Sequence, residues 1–309
     1  LALLIVVTVL VFTEMKEEFI NVSKKFGKNE FITLAKFILI AGIILPNLPD
    51  QPVFTFIPLS PYKMWLAIVV VSGISYFSYL LQKFVFPKSG IVLTGILGGL
   101  YSSTAVSLIL SRKSHDKLAS PNEYAACIIF ATSVMYIRIF LIVFIFNTEL
   151  ALILLPYAGL LLLVTLLCGF VVYRSKKSAV ASSSNLMFAQ KNPLEFRVAM
   201  GFALFYILFM YLLNYSESHY GEKGLNLLSF IAGFADVDSY VMNLVQGKFA
   251  FTNIAMTAFI IKTTTSNNFI KTLYSLWLAE KNTRKLLLVS FLIILVANAV
   301  VIWWLGNKL

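Results

Sequence analysis

Nearly the whole chain is made of apolar runs of about 20 residues, each long enough to cross roughly 30 Å of hydrocarbon. They fall at 64–82, 90–111, 122–146, 150–173, 194–213, 224–246, 253–278 and 286–305. A shorter run at 31–45 precedes them, closed by "LPNLPD", where Pro46 and Pro49 end any helix. Only 13% of residues are charged and the mean hydropathy is +0.86, whereas a soluble domain carries about 25% charge. The expected fold is therefore an all-α polytopic membrane protein, with no room for a soluble domain.

Two stretches break the apolar pattern. "AGFADVDS" at 232–239 places Asp236 and Asp238 inside a run, where each costs roughly 2.5–3.5 kcal/mol at a helix centre. "GGLYSSTA" at 98–105 sits in a similar context without charge. The two align as parts of an internal repeat with a period of 132–134 residues. Pro61 and Tyr79-Leu80-Leu81 match Pro193 and Tyr211-Leu212-Leu213. Gly90, Leu93, Gly99 and Leu110 match Gly224, Leu227, Gly233 and Leu244, and "SVMYIR" ending at Arg138 matches "SNNFIK" ending at Lys271. The repeat divides the chain into a leading helix and Pro-rich loop at 30–60, repeat 1 at 61–192 and repeat 2 at 193–309.

Each repeat holds four apolar segments, so the halves run parallel if all four cross and are inverted if one turns back. Basic residues discriminate, because short cytoplasmic loops collect them. With every segment crossing, the 21 Lys and Arg outside the segments divide 10 against 11. With 90–111 and 224–246 each re-entrant, they divide 17 against 4, with only Lys63, Lys223, Lys248 and Lys308 on the poorer side. The expectation is two inverted repeats of about 130 residues, each with three spanning helices and one broken or re-entrant helix. Gly98, Gly99 and Gly233 are the expected breaks. The polar linker at 174–193 and the loop at 112–121 fall on the same, cytoplasmic side.

On a regular helix Asp236 and Asp238 lie about 200° apart, but in an unwound tip both can face one site. Carboxylates with the hydroxyls of Ser102, Ser103 and Thr104 make a hard-oxygen set suited to a cation, Mg²⁺ or Na⁺. Supporting partners are Arg138, Lys262, Asn267, Asn268 and Lys271. The alternative is structural: an aspartate paired with Lys262, Lys271 or Arg138 inside the membrane, and small residues serving helix packing.

The net charge of +11 reads as basic loops on anionic lipid, and no nucleic-acid partner is expected. Cys127 and Cys168 lie in apolar runs and read as packing residues. Nucleophile elbows, metal-ligating His-Glu motifs and phosphate loops are not found, so no enzyme is expected. The opening "LALLIVVTVLVF" reads as the tail of a longer helix, with residues 1–29 the end of a preceding membrane segment and a polar loop. Homo-oligomerisation stays open.

"LPNLPD", "SGISYFSYLL", "GIVLTGILGGLYSSTAVSLILSRKS", "MYIR", "KNPLEFR" and "GFADVDSYVMNL" together resemble the large C-terminal membrane domain of MgtC/SapB-like bacterial membrane proteins. The resemblance covers roughly residues 30–305 and implies a bacterial inner-membrane location, a preceding N-terminal membrane domain and a loose link to magnesium homeostasis. The functional expectation is a cation transporter or channel; the alternative is a non-transporting regulator or scaffold that binds a protein or lipid.

Overall fold

The computed structural model describes residues 28–52, 60–86, 91–116, 118–175, 196–247 and 249–308. The apolar tail at 1–12 and linker residues 176–193 lie outside them. Among the described residues every regular element is helical.

The chain divides into two compact units, Leu1–Leu48 and Pro49–Leu309. In the first, α1 (Lys28–Ile38) continues through a wide π turn, Leu39–Ile44, into a 3-10 turn, Leu45–Asn47. Pro46 removes a backbone donor there, and Asn47 Nδ2 donates to the Ile43 carbonyl at 2.6 Å.

The second unit holds α2 (Pro61–Leu80, extended by a π turn to Val85), α3 (Ile91–Lys113), α4 (Pro121–Phe146) and α5 (Thr148–Arg174). They are followed by α6 (Phe196–Ala235), α7 (Val237–Gln246), α8 (Asn253–Leu278) and α9 (Lys281–Gly306). Sequence sets the starts. Ser60, Ser120, Asn147 and Thr252 each accept a backbone N–H in the first turn of α2, α4, α5 and α8. Pro61 and Pro121 occupy first helical positions, where no donor is needed.

Among the described residues, six helical segments are long and apolar enough to cross a membrane: Pro61–Val85, Val92–Asp116, Pro121–Phe146, Thr148–Arg174, Met200–Ala235 and Lys281–Gly306. The protein is a multi-pass membrane protein on that basis. α8 has 26 residues but is too polar to join the six. Its Thr263, Thr264, Ser266, Asn267, Asn268 and Lys271 are all buried, so its polarity is enclosed by protein.

Two elements double back. In α3 the helix breaks at Ser102 (φ −165°, ψ 102°). Its entering arm runs parallel to α4, with Gly95 against Cys127 and Gly99 against Ala131. Were α3 straight, Asp116 would lie ~40 Å from Pro121 at 1.5 Å per residue, whereas the five steps between them reach at most ~18 Å. The arm after Ser102 therefore returns along α4. Val106 and Leu110 accordingly pack with Tyr124 and Ile128.

α6 breaks at Gly221 (φ 53°), a left-handed position that glycine tolerates. From there residues 222–235 run parallel to α8, with Asn226 bonded to Lys262 and the Phe230 carbonyl to Ser266. The second break is Asp236 (φ −147°, ψ 111°). Past it, Tyr240 OH meets Ser229 Oγ at 2.7 Å, a contact that a continuous helix, with ~16 Å between these levels, forbids.

α4 and α8 run in opposite directions. Asn122 at the start of α4 donates to Val172 and Ser175 at the end of α5. At that same end of the unit, Ser114 and His115 bond Glu280 N and the Leu278 carbonyl at the end of α8. The opposite end carries the α4–α5 junction at Asn147 and the close of α9, where Trp304 meets Tyr157 at 5.5 Å.

The breaks fall three residues beyond the expected glycines. Gly98, Gly99 and Gly233 are helical. A Cβ on Gly99 would sit 2.5 Å from the Ala131 carbonyl oxygen, and one on Gly233 would collide with the Thr263 carbonyl. These glycines let an entering arm press against the next helix. Hinging is left to residues whose side chains cap the new arm.

Candidate functional site

Breaking a helix frees carbonyls before the break and amides after it. Both breaks meet this demand with the same device. Ser102 Oγ accepts the Ala105 amide at 3.2 Å, starting the returning arm of α3. The stranded carbonyls of Leu100 and Tyr101 receive Arg138 Nη1 from α4, at 3.3 and 2.9 Å. In the second break Asp236 Oδ2 accepts the Ser239 amide at 3.2 Å and also its hydroxyl. The Gly233 carbonyl receives Asn267 Nδ2 from α8 at 3.0 Å.

The tips are joined. Arg138 Nη2 lies 2.6 Å from Asp238 Oδ2, with the two side chains 10% and 18% exposed. Lys271, fully buried, donates to Ser103 Oγ at 2.8 Å and contacts Met135 Sδ at 3.1 Å. Between the tips lies a cavity of about 90 Å³ lined by Ser102, Ser103, Thr104, Arg138, Asp236 and Asp238, with Asn267 also in its wall. Thr104 is exposed at its rim.

Seven of the expected site residues thus share one cavity, and Lys271 touches one of its serines. Two do not belong. Lys262 bonds Asn226 two and a half turns from Lys271, because the parallel run of α8 along residues 222–235 carries it away from the tips. Asn268 points to another face of α8 and donates to Tyr136 OH at 2.9 Å. It joins a buried network in which Asn298 Nδ2 donates to the same hydroxyl at 2.9 Å and Thr265 Oγ1 donates to Asn298 Oδ1 at 3.1 Å. Met135 and Tyr136 lie inside the "SVMYIR" anchor of the repeat, which drew attention to Arg138 alone, and Asn298 is a single polar residue in an apolar run.

The cavity holds two carboxylates, two basic side chains nearby and several hydroxyls. Arg138 forks between Asp238 and two carbonyls, a geometry suited to guanidinium and not to ammonium. Among the described residues no group of three or more His, Cys, Asp or Glu could share a metal ion. A cation held here would rest on Asp236, Asp238, hydroxyls and main-chain carbonyls.

Residues 69–279, running from α2 through α8 and holding both tips, match the family described as "Domain of unknown function (DUF4010)". A protein of Aquifex aeolicus (strain VF5), titled "Uncharacterized protein", is 29% identical over 202 residues, covering 63% of this chain and 84% of that protein. No solved structure matches. With the family match spanning well over half of its length, the chain belongs to the DUF4010 family.

Proposed function

We propose that this chain is an inner-membrane cation transporter or channel built from two inverted repeats, with its ion site in the cavity between the tips. One observation carries the reading: two broken helices, whose entering arms lie parallel to the oppositely directed α4 and α8, meet tip to tip through Arg138 of α4 and Asp238. Irregular backbone at membrane depth is tolerated where protein encloses it or it lines a wet cavity, and paired broken helices near the midplane are a transporter plan. In this reading α3 and the 222–246 hairpin enter from opposite faces. Charge supports the orientation. Lys83, Arg112, Lys113, Arg174, Lys281, Arg284 and Lys285 belong to the end carrying Ser114 and Glu280, and Lys63, Lys223 and Lys308 to the other. The richer end is cytoplasmic by the positive-inside rule.

Asp236 and Asp238 are the ion's carboxylate ligands, with Ser102, Ser103 and Thr104 supplying neutral oxygens. The resemblance to MgtC/SapB-like proteins makes Mg²⁺ one ion to test and Na⁺ the other. The second reading, a non-transporting regulator or scaffold, is favoured by the fact that Arg138 and the α7 cap already occupy both carboxylates. Flux of Na⁺ and Mg²⁺ into proteoliposomes of the purified protein separates the two. Transport predicts flux that Asp236→Asn removes, and absence of flux for both ions returns the protein to the regulator reading.

A further inference from the structure

Away from the tips, α5 carries a second concavity. Its core-facing stripe, with Leu154, Leu161 and Thr165, is buried. On a neighbouring face Gly159, Leu163, Leu167 and Phe170, with Phe130 of α4, line an apolar groove of about 460 Å³. Two glycines make it. Gly169 has no side chain, so the Phe130 ring lies against α5 and walls the groove; a Cβ there would meet that ring at 2.8 Å. Gly159 leaves the floor open, with nothing within 4 Å of its would-be Cβ. From Gly159 to Phe170 the groove runs ~16 Å at 1.5 Å per residue, about half of the ~30 Å of hydrocarbon a spanning helix crosses. That is the depth of one leaflet.

Just beyond Phe170 the same face leaves the apolar run. Tyr173 and Arg174 follow Phe170 by three and four residues, so both stand over the outer end of the groove. Both are exposed. Among the described residues no carboxylate pairs with Arg174, and Glu123, in the first turn of α4, is buried and bonded to Ser120. A guanidinium matches phosphate oxygens in fork geometry, and tyrosine rings settle at headgroup level. A neighbouring transmembrane helix is the poorer fit. Such helices close over small residues spaced one turn apart, whereas Gly159 is followed on its face by Leu163, Leu167 and Phe170, each more than half exposed.

We propose that this groove is a binding site for one anionic phospholipid, with an acyl chain lying from Phe170 to Gly159 and the headgroup phosphate on Arg174. The lipid belongs to the leaflet at the Ser114–Glu280 end, whose further basic residues, Lys281, Arg284 and Lys285, attract the same headgroups. The site is separate from the tips and stands independently of ion transport.

Lipid binding by the purified full chain tests this. Delipidated protein in detergent is titrated with phosphatidylglycerol or phosphatidylcholine, with inorganic phosphate as competitor, and bound lipid is counted by native mass spectrometry. The expected result is one phosphatidylglycerol per chain, bound ahead of phosphatidylcholine. Gly159→Leu fills the open floor and lowers that affinity about tenfold, at an unchanged melting temperature. Arg174→Gln keeps acyl-chain binding and loses the preference for phosphatidylglycerol, a change of about fivefold. Arg174 is exposed and its variant folds, so retention of the preference there overturns the proposal on its own. Inorganic phosphate that displaces the lipid places the ligand on the headgroup alone and overturns the groove. Gly159→Leu that keeps the lipid and splits a dimer gives the groove to a second copy of the chain, which also overturns the proposal.

Discussion

The two tips are built alike and charged differently. Ser102 and Asp236, 134 positions apart, each break a helix and cap the arm that follows. Around them the repeat equates Arg138 with Lys271, yet Arg138 grips an aspartate and two carbonyls while Lys271 rests on a serine and a methionine. The first tip offers only hydroxyls and so needs its charge from the second, which supplies two carboxylates. Backbone geometry is therefore duplicated, and charge is not. One basic residue is locked as a structural clasp, and its counterpart makes no ion pair among the described residues.

The clasp should be the most costly feature to lose. Arg138→Met leaves the half-buried Asp238 without its ion-pair partner and two carbonyls unmet, and is expected to destabilise by about 3–5 kcal/mol. Thermal unfolding in detergent reads this, and Asp238→Asn in the same chain should recover part of it. Arg138→Lys should recover little, since an ammonium cannot fork. Full stability in Arg138→Met would remove the clasp.

Next come the close approaches. Gly99→Ala and Gly233→Ala force a Cβ into the Ala131 or Thr263 carbonyl, an overpacking expected to cost about 1–3 kcal/mol. Gly159, with nothing within 4 Å of its would-be Cβ, is the control: alanine there should be neutral or stabilise by up to ~1 kcal/mol. Equal melting temperatures for all three variants would deny that the entering arms need these contacts.

Asp236 divides capping from ion binding. Asparagine caps as well as aspartate, whereas alanine loses about 1 kcal/mol. Asp236→Asn should therefore fold normally and lose any stabilisation by Na⁺ or Mg²⁺, while Asp236→Ala loses both. Asp236→Asn that keeps the wild-type ion response takes the carboxylate out of the site.

Much of this was legible in the sequence, and the gaps have physical causes. Apolar runs located most helices to within a few residues, though the run at 194–213 stops short of the Gly221 break in α6, and the charge count favoured doubling back over crossing. The residues of the cavity were readable because carboxylates in an apolar run demand a reason. The break points were not: "GGLY" reads as a hinge, but whether a glycine bends a chain or admits a neighbouring helix depends on that neighbour, here Ala131. Lys262 was misplaced for a related reason. Proximity in sequence to the polar run of α8 does not say which turn of the helix reaches the tip.

The comparison is sharpest at its smallest expected effect. Lys271→Met replaces a buried ammonium with an apolar chain of similar length, beside Met135 and with Ser103 free to turn to its own helix. Substituting a buried charge that strands no opposite charge is often neutral or stabilising. Asp238 keeps Arg138, and Asp236 keeps the Ser239 amide and hydroxyl. The melting temperature of Lys271→Met should match or exceed that of the parent, opposite in sign to Arg138→Met at the equivalent position. A loss as large as that of Arg138→Met would mean that Lys271 is a second clasp, shared with Asp236 or Asp238. The asymmetry between the tips would then be one of geometry alone.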